Sequence, residues 1–199
     1  MRDVDANLKS FYNDEMQDRA GRALGDERGR RVRAFTDHLR AQEAEALLEV
    51  GCGAGRDGLI LSESGCDYTG VDLSSTAVQM CRDLGLNALE GTATGLPFMD
   101  NVFDAAWSMS TLMHLPGDGF DRAIRELRRV VRPGGVVEIG VWGHTDNREW
   151  TSPDGRYFKH RSDEQLQDVL QDLGQVAAFD TWDWFDDGGH YQWARVITR

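Results

Sequence analysis

A glycine run, two acids and one histidine carry the chemistry legible in this sequence. Gly51, Gly53 and Gly55 alternate through Gly51-Cys52-Gly53-Ala54-Gly55. A glycine lets the backbone take positive φ and approach a ligand that a Cβ would block. Glu49 stands before the run and Asp72 after it. An acid roughly 20 residues past such glycines is placed to accept hydrogen bonds from ribose hydroxyls. Arg56, just beyond the run, offers a cation either to a carboxylate ligand or to a neighbouring acid. His114 carries an imidazole, the side chain that exchanges protons near neutral pH. Gly53 to Gly58 also satisfies the G-x-G-x-x-G spelling of dinucleotide sites, a weak signal alone.

The surrounding elements must position these groups. Leu47 to Val50 reads as a buried strand, followed by a glycine turn and a helix from Arg56 through Leu61 to a stop at Gly65. The start of that helix offers unpaired N–H groups to polar ligand atoms. Tyr68 to Asp72 is a second strand, and Ser74-Ser75 caps a helix that runs to Leu84. Asn87 to Glu90 and Phe103 to Met109 are strands three and four. Phe120, Ile124, Leu127 and Val131 mark an amphipathic helix stopped at Pro133-Gly134-Gly135, and Val136 to Trp142 is strand five. Gly143 to Lys159 reads as a polar connection with a turn at Pro153-Asp154-Gly155. A capping box at Ser162 to Gln165 opens a further helix. Val176 to Trp184 and Tyr191 to Thr198 close the chain as two strands joined through Phe185 to His190.

Composition sets bounds. The chain has 199 residues, enough for one domain with a full core. It is 40% hydrophobic and 28% charged, an ordinary soluble profile. A net charge of -12 disfavours nucleic acid as a partner. No apolar run approaches the roughly 20 residues that span a bilayer, and Met1 to Asn7 has no apolar core like that of a signal peptide. Cys52, Cys66 and Cys81 lack metal-ligand spacing, so no metal is expected, and a reduced cytoplasmic setting is the simplest reading. The arginines at 28, 30, 31 and 33, and those at 125, 128, 129 and 132, read as solvated helix faces.

Strand, acid and glycines in the order Glu49-x-Gly51-x-Gly53-x-Gly55 resemble the first motif of the class I S-adenosylmethionine (SAM) methyltransferases. Gly91-Thr92-Ala93 followed by Leu96-Pro97-Phe98, and the Arg125 to Gly135 sequence, are similar to the menaquinone/ubiquinone-type subgroup of that family. The resemblance covers Leu47 to Trp142. It implies an α/β, doubly wound, Rossmann-like fold with a seven-stranded, mostly parallel sheet in the order three-two-one-four-five-seven-six, ending in an antiparallel strand. It implies SAM as cofactor, contacted by Tyr12, Glu49, Gly51, Cys52, Gly53, Arg56, Asp72, Leu73, Thr92, Ala93 and Ser108. The family often has Asp where Thr92 stands, so the adenine contact loses a charge here. Residues 1–46 are expected as a helical lid on a methyltransferase domain of residues 47–199.

His114 follows strand four, where the transferable methyl is expected, and is the candidate general base or a wall residue orienting the acceptor. His144, His160 and His190 lie near the same edge. Trp142, Tyr157, Phe158, Trp182, Trp184, Tyr191 and Trp193 suit a planar, small-molecule acceptor or simply an aromatic core. Three other functions compete. The Val141 to His160 stretch is loosely similar to tRNA wobble-uridine methyltransferases. An NAD-dependent oxidoreductase would use Gly53 to Gly58 but leaves Glu49 unexplained. A SAM-binding protein without transfer activity fits the same motifs.

Overall fold

The computed structural model describes residues 4–21, 24–183 and 189–199. Two helices, α1 (Val4–Ala20) and α2 (Asp26–Ala41), precede an alternation of β1 (Ala46–Val50), α3 (Arg56–Ser62), β2 (Asp67–Asp72), α4 (Ser75–Asp83) and β3 (Ala88–Glu90). Then come β4 (Phe103–Met109), one 3₁₀ turn (Leu112–His114), α5 (Gly119–Val130) and β5 (Val131–Trp142). The rest comprises β6 (Arg148–Thr151), β7 (Tyr157–His160), α6 (Asp163–Leu170), β8 (Gly174–Asp183) and β9 (His190–Thr198). The expected residues Trp184 to Gly188 of the last connection lie outside the described residues.

The main sheet runs β3-β2-β1-β4-β5-β9-β8, with the first five strands parallel and β9 antiparallel to both neighbours. This is the expected order. Alternation along each strand sends side chains to opposite faces. Leu48, Ala106, Val137 and Ile139 meet Phe120, Ile124 and Leu127 of α5 and Leu166 and Leu170 of α6. Leu47, Ala105 and Trp107 meet Val32, Phe35 and Leu39 of α2 and Val78 and Cys81 of α4. Trp107 is wholly buried and stacks on Phe35 at 5.3 Å.

Two local departures from the sequence reading have physical causes. Helix α5 stops at Val130, three residues before Pro133, because Val131 already pairs with Phe103 in the sheet. The polar connection after β5 contains a two-stranded ladder, β6 with β7, that shares no strand with the main sheet.

Two arginine faces are also more than solvated surface. Arg31 lies over the Trp193 ring at 4.1 Å and pins α2 to β9. Arg129 holds the loop after β3 by donating to the carbonyls of Phe98 at 2.7 Å and Leu96 at 3.0 Å.

Candidate active site

Parallel strands leave a crevice beyond their C-terminal ends where the strand order reverses, here between β1 and β4. A cleft of about 1010 Å³, including its mouth, occupies that place. Its floor is Val50 to Ala54, Arg56 and Asp57. One wall is Val71 to Leu73 with Gly91 to Ala93, and the other is Met109 to Thr111 with His114 and Leu115. Leu8, Tyr12 and Met16 of α1 roof it.

The glycine turn is built as its spacing demands. Gly51 has φ +82°, and a Cβ there would stand 2.0 Å from Thr111 Oγ1. Gly53 has φ +51°, and a Cβ there would meet no atom within 4 Å. It would instead project into open space in the cleft floor. Gly55, at φ +76°, is the N-cap of α3.

Asp72 closes β2 and folds back over the glycine turn. Its Oδ2 accepts from the Gly53 N–H at 2.8 Å and its Oδ1 from the Ser74 N–H at 2.9 Å. Burial raises its pKa, and the N–H groups of Ser74, Gly53 and Leu73 oppose that rise. Each carboxylate oxygen keeps a second lone pair for a ligand hydroxyl. Thr92 lines the cleft, but its Oγ1 accepts from the Thr94 N–H at 3.3 Å and contacts Thr94 Oγ1 at 3.1 Å.

Nine of the eleven expected cofactor residues line the cleft: Tyr12, Gly51, Cys52, Gly53, Arg56, Asp72, Leu73, Thr92 and Ala93. Glu49 and Ser108 do not. The Glu49 carboxyl is buried under β1, where the Tyr68 hydroxyl donates to it, and burial beside Asp57 lifts its pKa well above the usual range. Ser108 points into the core and donates to the Val50 carbonyl at 2.9 Å. Ser110 reaches the cleft in its place, at φ +56°, with its Oγ 2.9 Å from the Tyr191 hydroxyl.

Arg28 is a site residue that the sequence reading assigned to a solvated face. It lines the cleft and pairs with Asp57, whose side chain is 1% exposed, at 2.8 Å. Trp107 Nε1 donates to the same carboxylate at 2.8 Å. Burial works against the Arg28 charge, and Asp57, Tyr191 and Glu49 together more than offset it. No local signal marks the pair: α3 opens Arg56-Asp57, and Arg28 lies 29 residues earlier on another helix.

His114 is 3% exposed and stands at the end of the cleft. Its Nδ1 lies 2.8 Å from the Tyr157 carbonyl and its Nε2 lies 2.9 Å from the Tyr12 hydroxyl. A carbonyl only accepts, so the neutral imidazole carries its proton on Nδ1 and accepts at Nε2. Phe158 packs on the ring edge-on at 4.6 Å. His144, His160 and His190 do not line the cleft. His160 is buried against Trp150, and His190 pairs with Asp163 at 2.7 Å. Tyr191 and Trp193 are buried in the sheet core, and Trp182 packs on Tyr191 at 4.9 Å.

Residues 48–139 match the family model described as a methyltransferase domain. The match marks that stretch as a methyltransferase domain. The chain is 35% identical over 135 residues to a tRNA (carboxymethyluridine(34)-5-O)-methyltransferase of Arabidopsis thaliana, a match covering 65% of this chain and 32% of that protein. It is 32% identical over 120 residues to a 2-methyl-6-phytyl-1,4-hydroquinone methyltransferase of Synechocystis sp., covering 54% and 36%. The chain thus spans about a third of the length of these curated relatives. The methyltransferase fold extends beyond the matched residues. A Burkholderia thailandensis 1,6-didemethyltoxoflavin-N1-methyltransferase with bound S-adenosylhomocysteine superposes with TM-score 0.79 at 18% identity, over 97% of this chain and 88% of that one. Among the described residues, no helix is long and apolar enough to cross a membrane.

Proposed function

We propose that this chain transfers the methyl group of SAM to a small-molecule acceptor, with His114 as the proton acceptor. The observation that carries this is the His114 imidazole at the end of the cofactor cleft, fixed with Nε2 as its acceptor nitrogen. SAM supplies an activated methyl on a sulfonium, so the protein's task is to hold the reactants and remove a proton.

Gly51 to Gly53 let the backbone approach the cofactor, Asp72 accepts from the ribose hydroxyls, and Leu73, Thr92 and Ala93 flank the adenine. Arg28 and Arg56 supply positive charge on the floor for the methionine carboxylate. Residues 1–46 act as a lid through Leu8, Tyr12 and Met16. The acceptor binds at the His114 end, between α1 and the β6–β7 ladder. There its O–H or N–H replaces the Tyr12 hydroxyl at His114 Nε2, which takes the proton. Holding two reactants in line is worth roughly 7–11 kcal/mol of barrier, so positioning does most of the work.

Calorimetry with SAM against NAD tests the cofactor assignment. Methyl transfer to a panel of phenols, hydroquinones and amines then tests the activity. Failure to bind SAM would sink the whole reading. A second reading, tRNA as acceptor, is favoured by the Arabidopsis relative and by Trp150. That ring is 38% exposed and carries the Arg148 guanidinium at 5.2 Å. A tRNA titration at two salt concentrations separates the two, since steeply salt-dependent binding marks phosphate contacts.

A further inference from the structure

We propose that Cys52 and Cys81 form a redox-modification site, at which a hydroperoxide closes a disulfide across the glycine turn and switches off SAM binding. The effect on binding rests on the SAM reading above; the bond itself does not.

The two sulfurs are already in contact. Cys52 follows β1 in the cleft floor, Cys81 lies on α4, and their Sγ atoms are 3.7 Å apart. A disulfide needs about 2.05 Å, so the sulfurs must close by less than the width of one atom. The backbone can follow, because Cys52 sits between Gly51 and Gly53, both at positive φ. The third thiol, Cys66, is set apart and donates to the Ala44 carbonyl at 3.1 Å.

The pair is tied to the cofactor cradle. Cys81 Sγ lies 3.3 Å from the Gly53 carbonyl, and the N–H of the same Gly53 donates to Asp72. Drawing Cys52 toward α4 therefore pulls Gly53 from its carboxylate partner and tilts the floor of the cleft. Reagent access runs through Cys52, which lines the cleft, so bound cofactor shields the pair.

One sulfur of the pair, as thiolate, attacks an oxygen of hydrogen peroxide and the O–O bond breaks, leaving a sulfenic acid; the departing oxygen takes a proton as water. The partner sulfur then gives up its proton and displaces hydroxide from the sulfenic sulfur as a second water. Two thiols lose two electrons and two protons, and the hydroperoxide takes both.

The test uses the reduced full chain and hydrogen peroxide, with and without SAM. Expected are loss of two hydrogens in the intact mass, a non-reducing peptide map joining Cys52 to Cys81, and SAM affinity lower by about tenfold or more. Dithiothreitol should restore binding, and SAM present during oxidation should slow the change. Cys81→Ser and Cys81→Ala should keep their SAM binding through the same treatment. A map without that link, or a linked protein with unchanged affinity, overturns the proposal. So does equal loss of binding in both Cys81 variants, which would mean oxidation at Cys52 alone. If the reduced chain binds no SAM while the map still shows the link, the cofactor reading has failed and only the bond survives.

Discussion

The Tyr12 hydroxyl stands 2.9 Å from His114 Nε2, joining α1 to the turn after β4 across the end of the cleft. The roof and the candidate base are therefore one hydrogen-bonded unit. Asn13, the next residue on α1, accepts from the Ser74 hydroxyl at 2.6 Å, so the same turn of helix also grips the start of α4.

His114→Ala should leave SAM affinity within about a factor of ten while turnover falls about 10²–10⁴, the usual worth of a general base. Loss confined to the Michaelis constant would assign His114 to orienting the acceptor. Unchanged turnover removes it from both roles. Tyr12→Phe should affect turnover less, since the base survives without its roof contact.

Asp72→Ala should weaken SAM binding by about 1.5–3 kcal/mol, the scale of hydrogen bonds to a charged group. Calorimetry reads this directly. Asp72→Asn keeps an acceptor oxygen and should lie between wild type and Ala. An intact fold with wild-type affinity in Asp72→Ala would remove the ribose contact.

Gly53→Val should abolish SAM binding while most of the fold remains. A Cβ there has free space in the protein alone, so the clash arises only with a ligand on the cleft floor. Positive φ adds strain of about 1–2 kcal/mol for a branched residue. Normal SAM binding in a folded Gly53→Val would place the cofactor elsewhere.

Arg28→Met leaves the 1%-exposed Asp57 without its cation. Removing one partner of a buried pair costs about 3–5 kcal/mol, and urea unfolding should show a loss on that scale. Pairing the change with Asp57→Asn should recover much of it. If the single variant is as stable as wild type, the pair is not what holds α2 to the cleft floor.

The fold was legible because β1, β2, β4 and β5 carry short apolar runs, and glycines bound the helices between them, Gly55 and Gly65 around α3 and Gly85 after α4. The ladder at 148–160 was not. Arg148, Glu149 and Trp150 are all exposed in β6, so no alternation betrays it. Arg28 and Arg31 were hidden because their partners, Asp57 and Trp193, are distant in sequence, and a run of arginines looks the same whether it meets water or an aromatic ring. Ser108 turns into the core while Ser110 reaches the cleft, because strand alternation predicts direction only until the strand ends. At the left-handed Ser110 the direction changes.

Acid should loosen the ladder before the sheet. Burial, with the Arg148 charge beside it, lowers the His160 pKa to about 4 from an ordinary 6.5. Between those values the unfolded chain binds more protons, so stability rises with pH across this window. The contribution is complete above about pH 6.5 and is lost as pH falls toward 4. Melting temperatures of wild type and His160→Asn from pH 4 to 7 should therefore differ in slope, with the variant flatter. Parallel slopes would show that His160 titrates normally.

The β6–β7 ladder reaches the cleft through the Tyr157 carbonyl and the Phe158 ring on His114, and it lends the main sheet no strand. One of those two contacts is main chain, which any residue at position 157 except one that breaks the strand can supply. Apart from Phe158, side chains along this ladder touch the cleft less than its backbone does. On the acceptor placement proposed above, a library randomised along β6 and β7 would sample new acceptors against an unchanged donor site.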